Sequence, residues 1–437
     1  MHLNAHLDVD LVAVEATDTV TVMLELLAPA AATESQHDRP EHTAIVVLDR
    51  SGSMSGSRLE AAKRAVVELV TRLDDRDNFG LIAFDSVVEL VVPAGKVATL
   101  GRSTIAQAVA GIHAGTATDL SSGYLRGLQE ARRVCGPAGA TVVVLSDGHA
   151  NAGVTDPAQL RQVAAKAGQQ SVTTSTIGVG EGYDEDLLAE IATGGNGNHS
   201  FANSGDAAAA ALAGEVAGLL SKTVQAASLL IAPSADVAEV RLLNDLPATA
   251  VAGGVMVELG DFYAGEERRV LIELGVPAMA GLGLITAAEL TLTHVELPAL
   301  QQHTVTLPIS VNVVPADVAA GRVPSAEVQR EKLMLRTQRA KREVEESLRR
   351  GDRRTATRTL GLATDDILGA PPAMQDEELA QEARWLQATS EGLAEWDDAY
   401  TRKRLRSDRT RKARGHRSRY QGGEVSTDDE AGRSAGS

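Results

Sequence analysis

The stretch Ala44-Ile45-Val46-Val47-Leu48-Asp49-Arg50-Ser51-Gly52-Ser53-Met54-Ser55-Gly56 constrains the fold more than any other part of the chain. Its apolar run, rich in β-branched residues, reads as a strand buried on both faces. The run stops at an acid, and two hydroxyls follow at alternate positions in a Gly-punctuated loop. Ser57-x-x-Glu60 has the form of a capping box. Behind it Leu59, Ala62, Val66, Leu69, Val70 and Leu73 recur at helical spacing. A strand entering a helix through such a turn puts Asp49, Ser51 and Ser53 at the C-terminal edge of an open α/β sheet, where such folds bind ligands.

The chemistry of that turn suits a hard cation. Mg²⁺ takes about six oxygen ligands in an octahedron and keeps some of its water. Asp49 supplies charge, directly or through water, while Ser51 and Ser53 add neutral oxygens. An ion bound by so few carboxylates stays electrophilic enough to accept an acid from elsewhere.

On these residues the sequence resembles the metal-ion-dependent adhesion site of von Willebrand factor A (vWA) domains. In that family a Thr from a second loop and an Asp from a third complete the site. Gly115-Thr116-Ala117-Thr118-Asp119-Leu120 resembles the second loop and implies Thr118 as a ligand. Val142-Val143-Val144-Leu145-Ser146-Asp147-Gly148, another apolar strand ending in an acid, resembles the third and implies Asp147. The resemblance thus implies a metal set of Asp49, Ser51, Ser53, Thr118 and Asp147 holding Mg²⁺ or Mn²⁺. One coordination position is left for an Asp or Glu of a protein partner. Asp119 is not counted among the ligands.

The rest of the chain is expected to fall into further parts. Residues 1–40 hold strands, with Val20, Val22, Leu24 and Leu26 alternating, followed by a polar, Pro-containing linker from Pro29 to His42. Residues 41–222 alternate strand and helix, the pattern of a doubly wound, mainly parallel vWA sheet. Within it Phe79–Phe84 and Val87–Val92 form a hairpin-like pair, and Leu125, Leu128, Ala131 and Val134 mark a helix after Thr118. Asp184 to Asn198 resembles the bacterial YfbK-like type of vWA domain. Residues 225–315 return to β and predict an antiparallel sandwich. The strands near the N-terminus are expected to join it, so that the vWA domain is inserted, an arrangement resembling proteins of the inter-α-trypsin-inhibitor type. Residues 324–396 predict helices over Val328–Arg350, Thr355–Leu368 and Glu377–Leu393.

Charge and composition bound the function. No apolar run approaches the roughly 18–20 residues that span a bilayer. No basic region leading into an apolar core marks a signal peptide. The single cysteine, Cys135, excludes an internal disulfide and fits a reducing compartment, so cytoplasm is the expectation. Abundant Ala, Gly and Val suggest a bacterial source. Residues 401–420 hold ten Lys or Arg against one acid, Asp408, inside a chain of net charge −17. With almost no large apolar residues, 401–437 is expected to be a disordered basic tail. It offers a route to nucleic acid or an anionic surface, although it lacks the interleaved aromatics of a base-stacking platform.

Catalytic signatures are missing from the sequence. Asp49 is followed at the second position by Ser51 rather than by an acid, and neither a Walker A loop nor a Gly-x-Ser-x-Gly elbow occurs. His113, His149 and His199 do not pair at zinc spacings and are expected at the surface or in loops. The reading is a non-catalytic, metal-dependent protein-binding module; some bacterial vWA proteins act as adaptors for ATPases. The alternatives are a metal-dependent hydrolase or phosphatase, and nucleic-acid binding through the basic tail.

Overall fold

The computed structural model describes residues 1–30, 41–147, 150–180, 182–235 and 237–417. The chain forms two compact units, one from residues 1–36 and 222–419, the other centred on residues 37–221.

The second unit is built on a six-stranded sheet in the order Val88–Lys96, Asn78–Phe84, Thr43–Asp49, Ala140–Ser146, Val172–Val179, Asn196–Ala202. Every neighbouring pair is parallel except the first, which is the expected hairpin. Thr43–Asp49 is buried along its whole length because both its faces are covered. Val46 and Leu48 pack with Leu59, Val66 and Val70 of the helix Ser57–Arg72. Ile45 and Val47 pack with Tyr124 and Leu128 of the helix Leu120–Val134. The latter helix lies unusually close to the sheet: a Cβ at Gly127 would come within 2.4 Å of Val47 Cγ2. The chain turns one way from Thr43–Asp49 to the hairpin and the other way to the remaining strands. The crevice between Thr43–Asp49 and Ala140–Ser146 is therefore the topological switch point, where open α/β sheets bind ligands.

Three local expectations differ. The helix Ser57–Arg72 takes Gly56, not Ser57, as its N-cap and has no side-chain cap, so the capping box does not form; Glu60 pairs with Lys63 instead. Tyr124 fills the core position next to Leu125, which is exposed. Asn196–Ala202 is a sixth strand, and His199 on it is buried rather than at the surface, its Nδ1 2.9 Å from Thr176 Oγ1.

The first unit is a β-sandwich with helices. One sheet runs His2–Leu7, Asp18–Leu27, Glu267–Val276, Glu239–Leu242; the other runs Ala248–Val251, Gly254–Tyr263, Lys222–Pro233, Gly283–Glu296, Gln301–Val314, Leu11–Ala13. The N-terminal strands thus join strands that follow residue 222, as the insertion topology requires. Asp18–Leu27 pairs antiparallel with Glu267–Val276 along ten positions, from Leu27 opposite Glu267 to Asp18 opposite Val276. Val20, Val22, Leu24 and Leu26 face Leu229, Ile231, Leu290 and Leu292 across the core. On the outer face of the first sheet, Met23 and Leu271 receive Val328 and Leu335 of the helix Ala326–Arg349. Arg353–Leu368 and Glu377–Gly392 complete the expected helical region, with Gly351 at φ +74° making the break between its first two helices.

The basic segment corrects an expectation. Residues Asp398–Ala413 form a helix, and the order continues to Arg417. Leu405 is its main apolar anchor, in the core formed by Leu333, Val344, Leu360 and Leu386. Its cations pair with acids of the other helices. Arg406 and Arg409 meet Glu345 at 3.0 and 2.9 Å, and Lys412 meets Glu382 at 2.6 Å. These partners let a segment poor in large apolar residues pack against the other helices without leaving its charges unpaired. The remainder of the expected disordered stretch, 418–437, lies outside the described residues.

Candidate metal centre

The five nominated residues sit on three loops at the C-terminal edge of the parallel sheet, around the switch point. Asp49 ends its strand with no solvent exposure, and Ser51, Thr118 and Asp147 are buried at 1, 4 and 1%. Ser51 N–H donates to Asp49 Oδ1 at 2.7 Å, so the chain turns immediately after the strand and brings the following hydroxyls back over the carboxylate. Ser51 Oγ lies 3.0 Å from Ser53 Oγ, and Ser53 Oγ donates to Asp147 Oδ1 at 2.7 Å. Ser146 Oγ donates to the other oxygen of Asp49 at 2.5 Å. Four of the five residues therefore form one hydrogen-bonded line from Asp49 to Asp147.

Thr118 comes beside them through the backbone. Gly115 N–H donates to Arg50 O at 2.6 Å, and Gly52 N–H donates to Thr116 O at 3.1 Å, clamping the second loop onto the first. Gly115 is required there, since a Cβ would lie 1.7 Å from Asp85 Oδ2. The third loop is tied to the second by Asn151, whose Oδ1 accepts from Thr118 N–H at 3.0 Å. Among the described residues no hydrogen bond links the Thr118 hydroxyl to the other four. Asp119 acts elsewhere. Its carboxylate caps the helix Leu120–Val134, accepting from Ser122 N–H at 3.0 Å and Ser121 Oγ at 2.9 Å. Those hydrogen bonds hold it below the usual carboxylate range, against the upward pull of desolvation.

The electrostatics favour a cation. Burial pushes the Asp49 carboxyl up to about 6, with the charge of Asp147 adding to the rise, while hydrogen bonds from Ser146 and Ser51 oppose it. Two carboxylates face one crevice, and a positive charge between them would relieve both desolvation and repulsion. The donor set is two carboxylates and three hydroxyls, all hard oxygens, which fits Mg²⁺ or Mn²⁺ and offers nothing to a metal that prefers sulfur or imidazole.

Sequence reasoning passed over one cation beside these loops. Arg58, on the first turn of the helix Ser57–Arg72, places Nη1 2.9 Å from Asp147 Oδ2 and 3.3 Å from Ser53 O, with its side chain 44% exposed. Its position one turn after the loop is the only signal in the sequence. Arg50, beside Asp49 in the sequence, would be expected simply to be exposed, but its side chain is largely covered, pairing with Glu89 and standing 3.7 Å from Asp85.

Comparison with known proteins converges on one family. Residues 45–213 match the family model of the von Willebrand factor type A domain. Over 395 residues the chain is 27% identical to the uncharacterized protein sll0103 of Synechocystis sp., an alignment covering 87% of this chain and 92% of that one. YfbK of Escherichia coli is 28% identical over 165 residues, which cover 37% of this chain and only 28% of YfbK. Among solved structures, a von Willebrand factor type A protein from Catenulispora acidiphila superposes with a TM-score of 0.71 at 18% identity, covering 93% of this chain and 96% of that one. This last likeness extends the shared architecture to the sandwich and helices. The parallel sheet, its switch-point crevice and the family match agree: residues 45–213 are a von Willebrand factor type A domain.

Proposed function

We propose that the chain is a metal-dependent protein-binding module, in which Asp49, Ser51, Ser53, Thr118 and Asp147 hold Mg²⁺ or Mn²⁺ and an Asp or Glu of a partner protein completes the coordination. The observation that carries this reading is the hydrogen-bonded line from Asp49, through the backbone N–H and hydroxyl of Ser51 and the hydroxyl of Ser53, to Asp147, built from two separate loops. The hydroxyls would leave the ion short of negative charge, and so receptive to an external carboxylate. An adaptor role beside an ATPase or in an assembly is part of the proposal only by analogy of fold.

The reading is of binding rather than catalysis. What supports it is the character of the groups bonded to the two carboxylates: hydroxyls, a backbone N–H and the Arg58 guanidinium, none of them a base near neutral pH. His149 lies outside the described residues. Binding to nucleic acid through the basic segment draws less support, because several cations of 401–417 already pair with acids of the same unit.

A pull-down from host lysate tests the proposal with three samples: wild type in Mg²⁺, wild type in EDTA, and Asp49→Ala in Mg²⁺. A protein retained only by the first establishes recognition through the metal. The same proteins in all three overturn it.

A further inference from the structure

A second site stands out in the sandwich unit. A cavity of about 340 Å³ opens between the strands Glu239–Leu242 and Glu267–Val276 on one side and the helix Ala326–Arg349 on the other. A neighbouring cavity of about 380 Å³ shares Arg241, Glu273 and Lys332 with it, adds the acid Glu239, and runs across the strands to Thr19. Both volumes lie in the range of about 300–1,000 Å³ common for small-molecule sites.

The lining of the first cavity is strongly cationic in a protein of net charge −17: Arg241, Lys332, Arg336 and Arg339 against the single acid Glu273. Lys332, Arg336 and Arg339 fall at i, i+4 and i+7, so one face of the helix presents all three. Beneath them are Leu243 and Leu335, the latter 3% exposed and packed against Met23 and Leu271. Cations gathered on one face repel one another, modestly where solvent screens Arg241, Arg336 and Arg339, and a bound anion would turn that repulsion into attraction.

The internal acid does not use up this charge. Glu273 serves Arg241 and Lys332 together, the latter at 3.5 Å. Lys332 also stands 3.6 Å from Asp8. Arg339 donates to one backbone carbonyl, Leu243 O, at 3.1 Å. Arg336 has neither an ion pair nor a hydrogen bond among the described residues. Two guanidiniums, with most of their donors uncommitted, thus border the cavity on the helix side. Their planar forks match the paired oxygens of phosphate and carboxylate.

We propose that this cavity binds a small polyanion carrying phosphate or carboxylate groups, with Arg336 and Arg339 gripping its oxyanions and Lys332 adding charge beside Glu273. The site is independent of the metal centre and of the partner that centre is proposed to bind.

Calorimetric titration of the full chain in metal-free, low-salt buffer tests it, with pyrophosphate and citrate as separate probes. The expected result is saturable one-site binding of at least one probe, and the tighter of the two identifies phosphate or carboxylate as the favoured chemistry. Arg336→Gln/Arg339→Gln, at two exposed positions, should weaken it by on the order of tenfold or more without moving the melting temperature. Single Arg336→Gln should show a smaller loss in the same direction. Absence of saturable binding to both probes overturns the proposal, as does unchanged affinity in the double variant. Tighter binding of an acidic peptide than of either probe would also overturn it, in favour of a protein ligand.

Discussion

Arg58 is a cation that the metal loops carry in their own sequence. Its guanidinium holds one oxygen of Asp147, and Ser53 holds the other, so an incoming metal ion must share or displace that contact. Removing the side chain should therefore tighten Mn²⁺ binding. For Arg58→Ala the expected gain is on the order of tenfold by calorimetry, kept modest because a partly exposed guanidinium is well screened. Equal or weaker binding would show that Arg58 does not compete. A second residue governs acid stability. Burial, with the charge of Arg268 alongside, pushes the His416 imidazole down to about 3. It stays neutral in the folded chain, its Nδ1 2.7 Å from Glu266 Oε1. The unfolded chain takes up that proton near the ordinary value of about 6.5. Stability from this group is thus complete above the unfolded value and is lost as pH falls from there toward the folded one, by about 1.4 kcal/mol per pH unit. Urea unfolding followed by tryptophan fluorescence should show this slope, and His416→Gln should flatten it. An unaltered slope would assign the acid sensitivity to other groups.

At the scale of elements, the helix Asp398–Ala413 shows how a segment poor in apolar residues becomes ordered. Lys341, with no solvent exposure, sits among Glu382, Asp408 and the ring of Trp385, and Lys412 binds both acids from the basic helix. The charge of Lys341, followed by that of Lys412, holds the Asp408 carboxyl down to about 2 against its burial. Glu382→Ala would strand Lys341 beside one acid where there were two. Breaking a buried network in this way costs about 3–5 kcal/mol, so the urea midpoint should fall sharply. A loss below about 1 kcal/mol would mean that water enters and replaces the carboxylate. This helix was not legible in the sequence, because its stabilising partners lie on other helices, Glu345 more than sixty positions from Arg409. Asp18–Leu27, by contrast, was legible as a strand from the alternation of Val20, Val22, Leu24 and Leu26, whereas the burial of its other face at Met23 under the helix Ala326–Arg349 was not.

The whole molecule has two units with separate cores, and both tryptophans, Trp385 and Trp396, belong to the one without the metal loops. Metal binding should therefore raise one calorimetric transition and leave the transition seen by tryptophan fluorescence in place. At a metal concentration about 100 times Kd the stabilisation is about 2.7 kcal/mol, enough to resolve. Asp49→Ala should abolish the shift. Movement of both transitions together would show that the units unfold as one.

Thr118 and Asp147 were proposed through the resemblance to vWA loops; by itself the sequence determined the parallel sheet, the return of the N-terminal strands to a sandwich, and the strand-to-loop placement of Asp49, Ser51 and Ser53. These are local signals: apolar runs ending in acids, alternating strands, and short motifs whose spacing is preserved in the fold. Only the tertiary structure decided which charges meet. Arg58 reaches Asp147 across 89 positions, Ser146 reaches Asp49 across 97, and the cations of the basic helix find acids on other helices. The energy of an ion pair depends on distance and burial, and a linear order of residues records neither until the chain has folded.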